Sequence, residues 1–203
     1  KLSETFIYDY VAELERQYGR NRVITHERSN SEGRPFPNVS VVPWPGKWNP
    51  RRLCQGIIAR LGLNGSIQDS YREEARRRVS REVRQIAPDV LHAHFGHEGV
   101  FVAPVAEQLK IPLVVTFDGH DISQLPKARE WREAYRELWS QAAALTVLSD
   151  EMKRKAQELG CPKEKLTVVH LSRRIDQFPF RPPDSKVSDV LFVGRLTPKK
   201  APL

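Results

Sequence analysis

Three histidines and one glutamate lie within seven residues in the stretch DVLHAHFGHEG. Side chains two positions apart on a strand share a face, so His92 and His94 would point the same way, with backbones about 6 to 7 Å apart. Such a pair can chelate a metal ion, although a zinc site needs a third and usually a fourth ligand. The next predicted strand end, TFDGHDIS, offers three further candidates, Asp118, His120 and Asp121. The residue types therefore leave a metal-dependent hydrolase using His92, His94 and His120 open as an alternative.

A metal-free crevice for a polar ligand is the interpretation that the spacing favours. The cluster lacks the fixed spacing of HExxH or of paired CxxC motifs, and histidines at strand ends of α/β folds commonly hold ligands through hydrogen bonds. We therefore expect no bound metal. His92, deeper in the strand, is expected to pack as a hydrogen-bonded core histidine, and His94 to face the ligand.

Two successive strand ends, His94 to Gly96 and Phe117 to Asp121, are predicted to meet at one crevice, because ligands of such sheets bind beyond the carboxyl ends of the strands. His94 and His120 should then line the same cleft. Three glycines would let the backbone approach a ligand there, namely Gly96, Gly99 and Gly119.

The motifs offer little support for nucleophilic or redox chemistry. No serine lies in a G-x-S-x-G elbow, and no strand leads into G-x-G-x-x-G. Cys54 and Cys161 are far apart and have no metal or disulfide spacing, which is typical of a reduced, intracellular protein.

The stretch FVGRLTPKK places two cations just after a predicted strand. Arg195 offers a bidentate fork and Lys200 a compact charge, a pairing suited to the oxygens of a diphosphate and to the charge that grows on a phosphate leaving group. A solvated basic tail is the alternative.

The charge balance favours an anionic partner. The 203 residues include 33 basic and 25 acidic side chains, a formal net charge of +8, which suits a phosphorylated small molecule, an anionic membrane surface or nucleic acid. A non-enzymatic basic module is one alternative, using the helix face of Arg77, Arg78, Arg81 and Arg84. No aromatic stacking platform accompanies these arginines, so we expect no nucleic-acid partner.

Helices and strands alternate regularly from Pro88 onward. Strands are predicted at DVLHAH, PLVVTF, ALTVLS and KLTVVHL, with helices between them, and Pro104 should kink its helix or mark a late start. Earlier, LSETFI opens a helix that ends at Gly19, RVITH and NVSVVP form short strands, and NPRRLCQGIIARLGL and SIQDSYREEARRRVSREVRQIA form helices. This pattern predicts an α/β fold with a doubly wound, Rossmann-like parallel sheet.

Three segments follow from this pattern. Residues 1–171 should form the Rossmann-like domain, with its first strand missing, and residues 172–188, rich in Pro and Arg, an interdomain linker. Residues 189–203 should hold the first strand, Val190 to Val193, of a truncated second domain, because one strand cannot bury both faces alone.

Taken in order, five stretches resemble glycosyltransferase family 4, particularly its branch of colanic-acid and other polysaccharide-building enzymes. They cover nearly the whole chain and are LSETFI, DVLHAHF, PLVVTFDGHDIS, LTVLSDEMKRKAQELGCPKEKLTVVHL and LFVGRLTPKKAP. The resemblance implies a GT-B fold, in which two Rossmann-like domains face each other across a cleft. The N-terminal domain would hold the acceptor and the C-terminal one the nucleotide-sugar. It also implies a retaining transfer without a metal or other cofactor.

The resemblance also assigns residues by position. Arg195 and Lys200 match the family pair that neutralises the donor diphosphate, and His94 lies on the cleft side of the acceptor domain. Glu4 and Thr5 fall in the loop and helix start that would face the acceptor.

The three candidate catalytic residues follow the TF pair. Many family members carry His where this chain has Asp118; His120 comes two residues later, and Asp121 stands at the usual aspartate position. Two questions stay open: whether His120 or Asp118 contacts the donor sugar, and whether Asp121 acts directly or holds the loop through its backbone.

The sequence therefore predicts the N-terminal part of a retaining glycosyltransferase that moves a sugar from a nucleotide-sugar onto a glycan or lipid-linked acceptor in polysaccharide biosynthesis. As a fragment it should be inactive alone. No signal peptide or long apolar run is present in the 203 residues. We expect a cytoplasmic protein in peripheral contact with anionic lipid on the inner face of the membrane.

Overall fold

A computed structural model of the chain describes residues 5–45, 67–171, 179–180, 182 and 192–193. The chain divides into two compact units, residues 1–171 and 172–203. Several predictions lie outside the described residues: the helix at NPRRLCQGIIARLGL, Glu4, Arg195, Lys200 and most of the linker. Of the predicted strand at Val190 to Val193, Phe192 and Val193 are described; both are exposed and have no regular secondary structure.

The described helices and strands of the first unit follow the predicted alternation. In chain order they are α1 Thr5–Tyr18, β1 Val23–Thr25, β2 Val39–Val41, α2 Ile67–Ile86, β3 Leu91–His94, α3 Gly96–Leu109, β4 Leu113–Phe117, α4 His120–Ser123, α5 Arg129–Gln141, β5 Ala144–Val147, α6 Asp150–Glu158 and β6 Leu166–Val168. Short 3₁₀ turns at Leu125–Lys127 and Lys163–Lys165 precede α5 and β6.

The strands form two parallel sheets. The larger has the order β3-β4-β5-β6, and β1 pairs with β2 in a separate two-stranded sheet. In the larger sheet His94 is opposite Thr116, which is opposite Thr146. Each neighbouring pair is parallel and is joined by helices, which confirms the predicted α/β class.

One face of the larger sheet is apolar and covered by α3, α5 and α6. Val115, Phe117, Leu145 and Val147 of this face are 0% exposed, because alternate side chains on a strand point to the same face. The helices contribute Ala103, Ala106, Tyr135, Leu138, Trp139 and Ala156 to the same core. This core fixes where β3, β4 and β5 end, and hence where the site residues lie.

A second core joins α2 to α3. The apolar stripe of α2 includes Ala75, Val79 and Val83, which are buried against Phe101 and Val105 of α3. Since this contact uses one stripe of α2, most of the arginines of that helix lie at other angles on its surface.

The end of α1, the start of α3 and the end of α5 agree only in part with the sequence prediction. Gly19 follows α1 with a φ of 64°, as expected of a glycine that ends a helix. Pro104 lies inside α3, which begins at Gly96, so the predicted late start is wrong. Lys165 was not anticipated: its Nζ donates to three carbonyl oxygens at the end of α5, those of Trp139, Ser140 and Ala142.

Candidate functional site

The carboxyl ends of β3 and β4 are joined by the buried carboxylate of Asp121, which is 1% exposed. Its oxygens accept hydrogen bonds from the backbone N–H groups of Gly96 at 2.8 Å, Asp118 at 3.1 Å, Gly119 at 2.8 Å and Ile122 at 3.1 Å. Bonds from N–H groups to an ionised acceptor are stronger than neutral ones. Asp121 therefore holds the turn in place, which is the second of the two roles that the sequence left open for it; its direct catalytic role stays a prediction.

The Asp121 turn packs tightly against aromatic side chains. The Tyr135 hydroxyl donates to the backbone carbonyl of Asp121 at 2.8 Å, and burial, with a smaller effect of the Asp121 charge, raises the pKa of Tyr135. A Cβ added at Gly96 would clash with the Phe117 ring and lie 2.6 Å from the Tyr135 hydroxyl. The expectation that Gly96 admits a ligand to the backbone is therefore wrong, because the core occupies that space.

The other two glycines of the prediction, Gly99 and Gly119, differ in their surroundings. At Gly99 an added Cβ would lie 2.8 Å from a methyl carbon of Val115, so this residue too serves core packing. Gly119 has a φ of 121° with no atom within 4 Å of an added Cβ. Its conformation is one that L residues rarely adopt, and it allows the chain to turn from β4 into α4.

His92 and His94 stack on each other on the opposite face of the sheet. Their ring centroids are 4.5 Å apart. The centroid of the Tyr10 ring, from α1, lies 5.8 Å from that of His92 and 5.6 Å from that of His94, in edge-to-face geometry. His92 Nε2 is 2.7 Å from Thr116 Oγ1, which is 2.6 Å from Thr146 Oγ1. His92 is thus hydrogen-bonded as predicted, but it remains partly exposed instead of buried in the core.

This packing changes the acid–base properties of the pair. Withdrawal of the rings from water lowers the pKa of His92, although part of its surface stays exposed. It lowers the pKa of His94 to about 4, with a smaller contribution from the neighbouring His92 charge. The buried His94 Nδ1 has no hydrogen-bond partner within the part of the chain that the structure describes. Both rings therefore favour the neutral form.

His120 lies elsewhere, at the rim of a cavity of about 310 Å³ beyond the ends of β3 and β4. The described side chains that line it come from four helices, the 3₁₀ turn at Leu125 and the loop after β2: Trp44, Arg72, Arg76, His97, Glu98, Val100, Phe101, His120, Leu125 and Trp131. His94 is not among them. His97, in the first turn of α3, lines this cavity together with His120. The common cleft of His94 and His120 stays a prediction.

Strand geometry explains why the described lining includes His97 and not His94. His94 is the last residue of β3 and shares the face of His92, towards α1, whereas His97 follows the strand end and lies where α3 begins. His97 and Glu98 were visible in the DVLHAHFGHEG cluster, and their place just beyond the strand was the available signal. No such sequence signal marked the arginines and tryptophans of the lining, because only the tertiary fold brings α2 and α5 to this strand end.

The cavity combines positive charge with aromatic surface. Arg76 Nε donates to the Phe101 carbonyl oxygen at 3.0 Å, and its guanidinium carbon lies 5.7 Å from the Phe101 ring centroid. Glu98 is the lining carboxylate, 3.6 Å from His97 Nε2. An anion and a flat, partly apolar ring are the ligand features that such a lining accommodates.

The alternative of a metal-dependent hydrolase is not supported. In residues 5–45 and 67–171, as in the few described beyond them, no three His, Cys, Asp or Glu side chains come together as ligands for a metal ion. The described helices also include none that is long and apolar enough to cross a membrane. Thr5 begins α1 as predicted for that helix start.

Comparisons with known proteins agree with this architecture. The family described as "Glycosyl transferase 4-like domain" matches residues 3–172. The putative colanic acid biosynthesis glycosyltransferase WcaL of Escherichia coli is 30% identical over 116 residues, 55% of this chain and 29% of that protein. The amylovoran biosynthesis glycosyltransferase AmsK of Erwinia amylovora is 30% identical over 127 residues, 60% of this chain and 31% of that protein. The chain thus spans less than a third of either relative's length.

The match covers the whole described sheet, so the parallel α/β unit is the Rossmann-like N-terminal domain of a GT-B fold. The resemblance read from the five stretches is confirmed by the same match and by both relatives. The chain belongs to the glycosyl transferase 4-like domain family.

Proposed function

We propose that the whole protein carrying this chain transfers a sugar from a nucleotide-sugar donor to a glycan or lipid-linked acceptor during polysaccharide biosynthesis. Family membership supports the reaction class. The names of two relatives, which concern colanic acid and amylovoran biosynthesis, support the polymer class. Retention of the anomeric configuration and independence from a metal are part of the same proposal.

One observation carries the proposal for this domain: the Asp121 turn presents His120 at the rim of a cavity beyond two strand ends. In open parallel sheets this is where ligands bind. His120 would contact the donor sugar, Asp121 would fix its position through the backbone, and Asp118, which donates its N–H to Asp121, would have the smaller direct role.

The donor diphosphate is assigned to the basic pair after the predicted last strand. Arg195 and Lys200 would stabilise the negative charge that increases as the glycosidic bond breaks. Loss of either should then reduce turnover more than donor affinity. The surplus of 8 positive charges also suits a cytoplasmic enzyme in peripheral contact with anionic lipid at the inner membrane face.

The test is sugar transfer by the whole protein, with radiolabelled nucleotide-sugars and a lipid extract as acceptor. His120→Ala should lower turnover more than Asp118→Ala, and Arg195→Ala or Lys200→Ala should lower it by roughly a hundredfold. Arg195→Lys should recover only part of the loss, because an ammonium cannot form the bidentate fork. The absence of transfer from every nucleotide-sugar tried would refute the proposal, and the reverse order of the two first variants would return the sugar-facing role to Asp118.

A further inference from the structure

The cavity beside His120 has an unbalanced charge. Among the described residues, its lining includes Arg72 and Arg76 but Glu98 alone as a carboxylate, and Glu98 already lies 3.6 Å from His97. A concave site with a surplus of guanidinium groups raises the local concentration of anions. An anionic ligand would restore the balance.

The two cavity arginines differ from their neighbours on α2. Arg77 and Arg78 form ion pairs one turn away, with Glu73 at 3.3 Å and Glu74 at 3.2 Å. Arg72 is exposed, and no ion pair between described residues involves it. Its charge is therefore available to a ligand, whereas the charges of Arg77 and Arg78 are compensated within the helix.

Arg76 is preorganised to bind the same ligand. Its Nε is bound to the Phe101 carbonyl oxygen at 3.0 Å, and its terminal nitrogen has only a long contact of 3.8 Å with Glu73. The side chain is 26% exposed. A guanidinium fixed through Nε loses less conformational entropy when its terminal nitrogens bind an oxyanion.

The remaining lining supplies ring surfaces. Trp44, Phe101 and Trp131 border the cavity, and Trp44 and Phe101 lie 5.3 Å apart between centroids. The volume of about 310 Å³ lies at the lower end of the about 300–1,000 Å³ of small-molecule sites. One sugar ring with a charged substituent suits this size better than a longer glycan.

We infer that this cavity binds an anionic saccharide: a sugar ring against the tryptophans, with an attached carboxylate or phosphate at Arg72 and Arg76. The inference rests on the proposed function in taking this saccharide to be the acceptor's terminal part. The oxyanion has two sources, an acidic sugar or a sugar phosphate such as one linked to lipid, and both present the same chemistry to the guanidinium groups.

The test measures binding to the whole protein without any donor, by ligand-observed NMR and tryptophan fluorescence. The probes are glucuronic acid, glucose 1-phosphate, methyl glucoside and inorganic phosphate. We expect at least one of the two charged sugars to bind about tenfold more tightly than methyl glucoside and than phosphate alone, because ring and charge contribute together. The preferred charged sugar identifies the source of the oxyanion.

Two matched variants test whether Arg72 is responsible for the binding of the charged sugar. Arg72→Glu reverses an exposed charge at the cavity and should weaken binding of the charged sugar about tenfold, with no change for methyl glucoside. Arg81→Glu makes the same change on the same helix outside the cavity lining and should leave both affinities unchanged. Equal weakening by the two variants, or equal affinity for charged and neutral sugars, would overturn the inference.

Failure of this inference is distinguishable from failure of the proposed function. Transfer that proceeds equally well to neutral acceptors and in the Arg72→Glu variant would refute only the anionic site. Selective binding of a charged sugar by a protein that transfers nothing would refute only the sugar-transfer proposal.

Discussion

Two polar clusters adjoin strands β3 and β4, and they are stabilised in opposite ways. At the carboxyl ends, Asp121 receives four backbone N–H groups and is almost fully buried. On the open face, His92 and His94 have one ring nitrogen bonded to Thr116 and one, His94 Nδ1, without a partner among the described residues. The first cluster satisfies its buried oxygens with hydrogen bonds, and the second keeps its rings neutral.

The difference teaches that the effect of burial on a polar side chain depends on the partners that replace water. The oxygens of Asp121 exchange water for convergent backbone N–H groups, whereas a ring packed against another ring and Tyr10 loses water without gaining donors. The Asp121 turn should therefore contribute much more to stability than the histidine pair.

The largest expected effect follows from removing the carboxylate. Asp121→Ala leaves the N–H groups of Gly96, Asp118 and Gly119 without their acceptor, and we expect the free energy of unfolding to fall by about 4 kcal/mol. Urea unfolding monitored by tryptophan fluorescence measures this change. A smaller loss than that of His94→Ala would reverse the comparison of the two clusters.

Gly96→Ala tests the packing around the same turn. The added methyl group would overlap Phe117 and approach the Tyr135 hydroxyl, so we expect a loss of about 2–3 kcal/mol from overpacking. Gly33→Ala is the control, because the three atoms nearest its added Cβ belong to the side chain of exposed Asn30. The same unfolding curves apply, and a Gly96 variant as stable as the control would contradict the packing argument.

Tyr135→Phe sharpens the comparison by removing one bond without changing the fold of the turn. The hydroxyl donates to the Asp121 carbonyl oxygen at 2.8 Å, and its loss should cost about 1–1.5 kcal/mol. Thermal unfolding by calorimetry measures the difference. An unchanged melting temperature would mean that water replaces the hydroxyl in this bond.

The smallest effect concerns the histidine pair and appears only with pH. The pKa of His94 is about 4 in the folded chain and about 6.5 in an unfolded one, so the unfolded state binds the proton more readily between these values. Stability is complete above about pH 6.5 and falls as the pH decreases towards about 4. The full shift corresponds to about 2 kcal/mol between about pH 7 and about pH 5, and because the ring is partly exposed we expect solvent screening to reduce this to about 1 kcal/mol.

His94→Gln removes this titration and should flatten that part of the stability curve. The matched measurement is the difference between the two proteins in urea unfolding at a series of pH values, since carboxylates common to both cancel. Parallel curves for the two proteins would show that His94 is not the group responsible.

Local pattern was sufficient for most of the fold. The strands at LHAH, LVVTF, ALTV and LTV lie within the predicted stretches and alternate with helices as predicted, because apolar strands and amphipathic helices are each specified by a short-range period. The separate pairing of β1 with β2 was not predictable, since nothing in either three-residue strand specifies its partner.

The site was predictable only where it depends on the ends of neighbouring strands. Parallel topology brings the carboxyl ends of β3 and β4 together, and the hydrogen bond from the Gly96 N–H to Asp121 joins them. The described lining of the cavity includes His97 and not His94, because the last strand residue shares the face of His92. Arg72, Arg76 and Trp131 belong to helices with different neighbours in sequence, so no local spacing could have connected them.

Lys165 affects how the domain should react with amine-directed reagents. Its nitrogen is within 3.0 Å of three carbonyl oxygens at the end of α5, whereas Lys163, two residues earlier, is exposed. Acylation needs the nitrogen lone pair, and at Lys165 the hydrogen bonds to α5 must break first. In a mass-spectrometric labelling time course, Lys163 would then report solvent access and Lys165 the opening of the α5 terminus, with the two read from a single peptide.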